Sequence, residues 1–397
     1  MILYLGLTVL GVIAGVITGL IPGIHPNTVI FMSLPFYFTA DIEPLTYGSF
    51  IAGLSVSHTF HDFLPAIFLS IPEAEAALST LPGPEMAANG KGIEAFRYTL
   101  AGGAFSIIAF LLAAPLLLIG AETVYKAITP VMQYILLFFL LFLIFKSDNL
   151  YKSSLIALMS GILGLLAFRV PVNQTFVLMP IFTGLFAIPS IFVTLRQELE
   201  IPEQEFGTPN TLQSMKGGFV GFLAGLVAGM FPGIGSATST TFLSPLLDSR
   251  KEFLSGMGAV NTSDIMISFV AMYLLGKARS GASVALISIT EVSKYQIGLL
   301  IGLSLIAVSI SFISAWKIPR HYIKILKKAG IKKASLIVLG FVICFNFYMT
   351  GWIGMMVLFT ATFIGYAAVI SDQRSVCMAV LIVPAISFYS QGLFLYL

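Results

Sequence analysis

GVIAGVITGLIPGIHPNT, residues 11–28, decides the fold, because GFLAGLVAGMFPGIGSAT repeats it 210 residues later at 221–238. At that offset Gly11, Ala14, Gly15, Gly19, Pro22, Gly23, Ile24 and Thr28 meet Gly221, Ala224, Gly225, Gly229, Pro232, Gly233, Ile234 and Thr238. Shared apolar composition alone rarely matches so many Gly and Pro positions. Glycine recurs every fourth residue, at 11, 15, 19 and 23 and at 217, 221, 225, 229 and 233, which strips side chains from one helix face and admits a neighbouring helix closely. Each ladder ends at Pro-Gly, where proline removes a donor and glycine frees the backbone, so the helix should stop. Asn27 and Thr28, or Ser236, Thr238 and Ser239, are suitable N-caps for a short second helix over 29–38 or 242–247. The unit reads as a broken helix or re-entrant hairpin.

Composition says where the break lies. The chain is 57% hydrophobic and 10% charged with mean hydropathy +0.97, which excludes an ordinary soluble globule and implies a polytopic, all-α membrane protein. Irregular backbone at membrane depth is tolerated where it is buried in protein or lines a wet cavity, so paired Pro-Gly breaks point to a binding site near the midplane. A tight hairpin between two packed helices is the plainer alternative. The N-terminus lacks a basic region and a cleavage motif and reads as mature structure. A net charge of +3 carries no signature of nucleic-acid binding, and Cys344 and Cys377 lack ligand spacing.

Along the chain, apolar segments are expected at 47–71, 98–120, 131–145, 155–168 and 175–193, then at 257–276, 297–316, 335–350, 352–370 and 377–397. Shorter re-entrant pieces bring the expectation to about 10–12 crossings. The polar, turn-rich stretch 196–214 separates a first repeat, 1–195, from a second, 215–397, and the two are expected to be inverted. Residues 317–333 carry seven Lys or Arg and no acid, so this loop should face the cytoplasm of a cell-membrane protein. It is read as a solvated loop, with a short helix lying on anionic lipid as the alternative.

Ionisable residues at membrane depth are functional candidates. His58, His61 and Asp62 lie within about one turn on a helix, and His25 sits at the first break; they suit a proton or substrate role better than a metal. Asp264 is the matching acid of the second half, a site for Na⁺ or H⁺ or a helix cap. Glu73 and Glu75 fall opposite Lys277 and Arg279 in the two tips and suggest an ion-pair latch or, for the bases, an anionic substrate. Helix N-termini at Asn27 and Thr28, and at Ser236 and Thr238, favour carboxylate or phosphate oxygens. Freed carbonyls at Pro22, Gly23, Pro232 and Gly233 suit a coupling cation.

The Pro-Gly-Ile hairpins, the stretch SIPEAEAALSTLPGPEMAANGKGIEAFR at 70–97, and Asn261-Thr262 with Leu275-Gly276 resemble the TctA family, the large membrane subunit of tripartite tricarboxylate transporters. That resemblance implies a carrier of citrate-like carboxylates working with a small membrane subunit and a soluble binding protein. Departures stand at Lys277-Ala278-Arg279-Ser280, where the family has an Ile-Pro-Gly-Ser turn, at Thr262, which replaces one of paired asparagines, and at Glu73, which replaces a glycine. The first part of each half also resembles polyprenyl-phosphate translocases.

The sequence therefore predicts a secondary-active carrier, not an enzyme, moving a small organic anion by alternating access with Na⁺ or H⁺ and no other cofactor. Asn27, Thr28, Ser236, Thr238, Asn261 and Thr262 would line the site. A lipid-phosphate translocase is the runner-up. A membrane-embedded metal-dependent hydrolase using His25, His58, His61 and Asp62 is the alternative of another class. The pattern is compatible with a homodimer and with accessory subunits, and fixes neither.

Overall fold

The structure is a computed structural model, and it describes residues 1–22, 24–40, 42–69, 82–172, 174–196, 201–231, 235, 236, 239, 246–276 and 280–394. These form helices and connections only. In order they are α1 (Ile2–Leu20), α2 (Pro26–Thr39), α3 (Pro44–His61), α4 (Phe63–Phe68), α5 (Pro82–Ala88), α6 (Gly92–Ile128), α7 (Met132–Phe145) and α8 (Leu150–Ala167). Then come α9 (Gln174–Phe182), a π turn (Thr183–Ala187), α10 (Ile188–Arg196), α11 (Thr211–Met230), α12 (Arg250–Leu275) and α13 (Gly281–Ile289). The chain ends with α14 (Lys294–Lys317), α15 (Pro319–Ala329), α16 (Ile331–Ile370) and α17 (Ala379–Phe394).

Seven helical stretches among the described residues are long and apolar enough to cross a membrane: 2–20, 92–145, 150–167, 176–193, 250–275, 294–317 and 331–370. Nearly every residue of α3 is buried, so its Ser, Thr and His side chains meet protein rather than lipid. The two segments expected on either side of residue 351 are two helical pieces that meet at a kink at Gly351, φ 60°, and together carry the label α16. The helix expected at 47–71 is likewise divided, into α3 and α4 at Asp62.

The glycine ladders form the closest joints. Gly11, Gly15 and Gly19 of α1 lie against the carbonyls of Phe50, Leu54 and His58 on α3. Gly221, Gly225 and Gly229 of α11 lie against those of Gly256, Val260 and Asp264 on α12. A Cβ on Gly19 would come within 2.7 Å of the His61 Cβ, and one on Gly229 within 2.9 Å of the Ile267 Cβ. The glycines differ by 210 in number and their partner carbonyls by 206 at every step, so one packing register serves both joints. In that register Ser55 corresponds to Asn261, His58 to Asp264 and Asp62 to Ser268. With lipid tails as apolar as the side chains, such close backbone contact is what holds the helices together.

Each joint is completed by a helix from the other half of the chain: α6 packs on α11 and α12, and α14 packs on α1 and α3. Gly48 lies against Leu300 and His61 reaches Ser314, so α3 and α14 run in one direction. Glu94 pairs with Lys251 and Gly103 lies against Thr262, so α6 and α12 also run together. Arg97, near the start of α6, stacks on Trp316 at the end of α14 at 4.4 Å. The two groups, and hence α3 and α12, therefore run in opposite senses.

Two further expectations change. The polar stretch ends early, because Asn210 caps α11 through the Gln213 amide and residues 211–214 are helical. Residues 317–333 are mostly helix rather than a solvated loop: α15 begins at Pro319 and buries Pro319, Ile323 and Leu326 while exposing its basic side chains. Proline at the first position and apolar residues at helical spacing account for it.

Candidate functional site

The first break leaves α1 at Ile21, whose extended backbone ends the helix, and Pro22 follows, buried. The chain re-enters helix at Pro26. The cap is His25, not Asn27 or Thr28: Pro26 occupies the first helical position, and the His25 Nδ1 accepts from the Asn27 amide at 3.2 Å. Asn27 and Thr28 thus lie in the first turn, Asn27 half-buried and Thr28 buried with its hydroxyl 3.6 Å from the Met179 sulfur. Asn27 packs so tightly on Gly281 that a Cβ there would overlap its amide. Gly281 opens α13, whose cap is Ser280, so the N-termini of α2 and α13 meet across the two halves of the chain.

The end of α11 lies well inside the helical body. Gly229, one residue before the end of α11, is level with Asp264 and Ile267, and α12 continues eight residues past Ile267, about 12 Å.

Behind the first break lies a buried polar cluster. The His58 Nδ1 is 3.0 Å from the Thr18 hydroxyl, and the His25 and His58 rings stand 5.6 Å apart. The His61 Nδ1 donates to the Ser57 carbonyl at 2.7 Å, while its Nε2 lies 3.1 Å from the Ser314 hydroxyl. Asp62 accepts from the Asn261 amide at 2.9 Å, joining α3 to α12. Asp264 accepts from the Ser236 hydroxyl at 3.2 Å and sits inside α12, so it is not a helix cap. The Thr262 hydroxyl is bound to the Gly258 carbonyl of its own helix. His58, His61, Asp62, Ser236, Asn261 and Thr262 are all at most 2% exposed.

No three His, Cys, Asp or Glu side chains among the described residues converge as a metal site. Both nitrogens of His61 face protein partners, which suits positioning rather than ligation. Gly23, Glu73, Glu75, Pro232, Gly233, Thr238, Lys277 and Arg279 lie outside the described residues.

Several partners escaped the sequence reading. Thr18 and Ser314 hold the histidines, and their signal, a small hydroxyl on an apolar helix, is common. At the start of α12, Arg250 pairs with Glu85 at 2.5 Å and Lys251 with Glu94 at 2.7 Å. Residues 201–210 bind the start of α6 through Gln204 to Gly92, Glu205 to Gly90 and Arg97 to the Phe206 and Gly207 carbonyls.

Seven crossing-length stretches, glycine joints tight enough to exclude side chains, and a buried polar interior define a multi-pass, all-α membrane protein. The chain belongs to the TctA family: the profile described as Tripartite tricarboxylate transporter TctA family matches residues 5–379. It is 32% identical over 399 residues to an uncharacterized protein of Methanocaldococcus jannaschii, a match covering 97% of this chain and 98% of that one. No solved structure matches it.

Proposed function

We propose that this protein is the large membrane subunit of a secondary-active carrier for a small di- or tricarboxylate, coupled to Na⁺ or H⁺ and assisted by accessory subunits. The observation that carries the reading is the meeting of the α2 and α13 N-termini at Asn27 and Gly281. Helix N-termini expose unpaired N–H groups and the positive end of the dipole, so two of them from separate halves attract an anion more strongly than one. Family membership supports the carboxylate.

The halves, 1–195 and 215–397, are proposed to be inverted repeats that rock about this point, with Pro22-Gly23 and Pro232-Gly233 shaping the site and Ser236 and Thr238 completing it. The common glycine register and the opposed directions of α3 and α12 support that arrangement. Alternating access then exchanges which side of the membrane reaches the paired termini. The basic helix α15 is placed at the cytoplasmic surface. No catalytic step is assigned to the histidines.

The test is thermal stability of the purified protein against citrate, succinate, inorganic phosphate and polyprenyl phosphate. Binding to the folded state must raise the midpoint. A rise with a carboxylate that disappears in Asn27→Ala supports the reading. A rise with polyprenyl phosphate alone transfers the protein to lipid-phosphate translocation.

A further inference from the structure

We infer that Arg97 and Arg320 form a site for the headgroup of an anionic phospholipid, built around Phe206 and Trp316 where α6 begins and α14 passes into α15. The inference goes beyond the carrier reading and stands without it.

The two guanidiniums share one aromatic ring. Arg97 lies 5.6 Å and Arg320 4.5 Å from the centre of Phe206, which makes two like charges near neighbours. Arg97 also stacks on Trp316 at 4.4 Å, and its Nη1 donates to the Phe206 and Gly207 carbonyls at 3.0 Å, which fixes the group in place. Aromatic faces and carbonyls accommodate a cation without neutralising it. Glu94, three residues before Arg97, is taken by Lys251 at 2.7 Å, and the exposed Glu205 beside Phe206 pairs with neither arginine. Arg320 makes no hydrogen bond or ion pair among the described residues. Lys317 and Lys324, three residues before it and four after, are exposed and add to the positive potential. Such a pair repels itself until an anion lies between the two groups.

Position selects a lipid over a soluble anion. Arg97 and Ile108 are eleven residues apart on α6, and Ile313 and Arg320 are seven apart across Ile318, which keeps helical backbone, so each pair shares a helix face. Ile108 is 53% exposed and Ile313 57%, and Ile306 continues the second stripe. Both α6 and α14 belong to stretches of crossing length. Their exposed apolar faces therefore meet acyl chains, and the guanidiniums stand at the end of those faces, where a headgroup lies. Trp316, half-buried between them, is the kind of aromatic residue that marks this level.

The chemistry of the donors selects the headgroup. Arginine forks match phosphate oxygens, and a phosphate diester presents two equivalent oxygens, one toward each guanidinium. Phosphatidylcholine carries the same diester beside a fixed positive charge, so the site favours a headgroup without one. The site also joins three parts of the chain: Arg97 comes from the first ladder-bearing half, Arg320 from the second, and Phe206 from the segment between them, which binds α6 through Gln204 and Glu205. A headgroup seated there reinforces the contact between the halves.

The experiment reads the fluorescence of Trp316 in the intact purified protein reconstituted into phosphatidylcholine vesicles. The chain has two tryptophans, so a Trp352→Phe background leaves Trp316 as the reporter. Phosphatidylglycerol with brominated acyl chains should quench Trp316 more strongly than brominated phosphatidylcholine at the same mole fraction. The relative binding constant should be about tenfold or more, and Arg320→Gln should lower it about fivefold, the worth of one basic residue at an anionic surface. Arg97→Gln should act in the same direction, Arg320→Lys should retain part of the preference, and Lys328→Gln, eight residues further along α15, should leave it unchanged. Inorganic phosphate added to the vesicles should not relieve the quenching. Equal quenching by the two lipids, an unchanged ratio in Arg320→Gln, or an equal loss in Lys328→Gln would overturn the inference. Relief by inorganic phosphate would overturn it too, by making the site one for a soluble anion.

Discussion

Asn261 and Asp62 are 199 residues apart in the chain and 2.9 Å apart in the fold. Their bond is a direct side-chain link between the two ladder-bearing halves, made where α3 and α12 cross in opposite directions. A hydrogen bond to a charged group contributes about 1.5–3 kcal/mol, and removing one partner strands the other. Asn261→Leu should therefore destabilise the protein by about that amount. The double variant Asn261→Leu/Asp62→Leu should lose less than the sum of the single losses. A mutant cycle read by thermal unfolding in detergent checks this, and strict additivity would show that the bond carries no coupling.

The glycine joints predict a sharp contrast between positions. Gly221→Ala and Gly258→Ala push a methyl group into the Gly256 and Thr99 carbonyls respectively, backbone atoms that cannot swing aside. Overpacking of this kind costs about 1–3 kcal/mol. Gly298→Ala and Gly302→Ala, which have open space around them, should be neutral or stabilising by up to about 1 kcal/mol. Comparable losses at all four positions would mean that the ladders do not set the helix spacing.

These joints were the most legible part of the sequence, because a four-residue glycine period has one geometric meaning in a helix. The caps were less so: Asn27 and Thr28 have the right chemistry, yet Pro26 fixes the start one residue earlier and gives the cap to His25. In the basic stretch 317–333 charge, which sets topology, put a solvated loop first and a short helix second, although Ile323 and Leu326 keep the apolar spacing of the helix that forms. Cross-half contacts such as Asn261 to Asp62 depend on which helices neighbour each other, and no local spacing encodes that. Helical spacing alone does place Ser55, His58 and Asp62 on one face, a signal available before any coordinates.

The orientation of α15 is open to direct labelling. Ile325 is 65% exposed among the lysines of that helix. In a Cys344→Ser background, Ile325→Cys should react with a membrane-impermeant maleimide in inside-out vesicles and stay unreacted in right-side-out ones. The reverse pattern would place the basic helix outside and invert the topology proposed above.

The central claim is that an anion binds where the N-termini of α2 and α13 meet. Equilibrium binding of a labelled tricarboxylate to purified protein in nanodiscs tests it most directly, comparing the native chain with Asn27→Asp. The substitution keeps the shape of the side chain and adds one negative charge at the paired termini, about 4 kcal/mol of repulsion at 4 Å for an effective dielectric near 20. The account predicts at least a tenfold loss of affinity with the fold intact. Unchanged affinity in a folded Asn27→Asp protein would contradict it and move the anion site elsewhere.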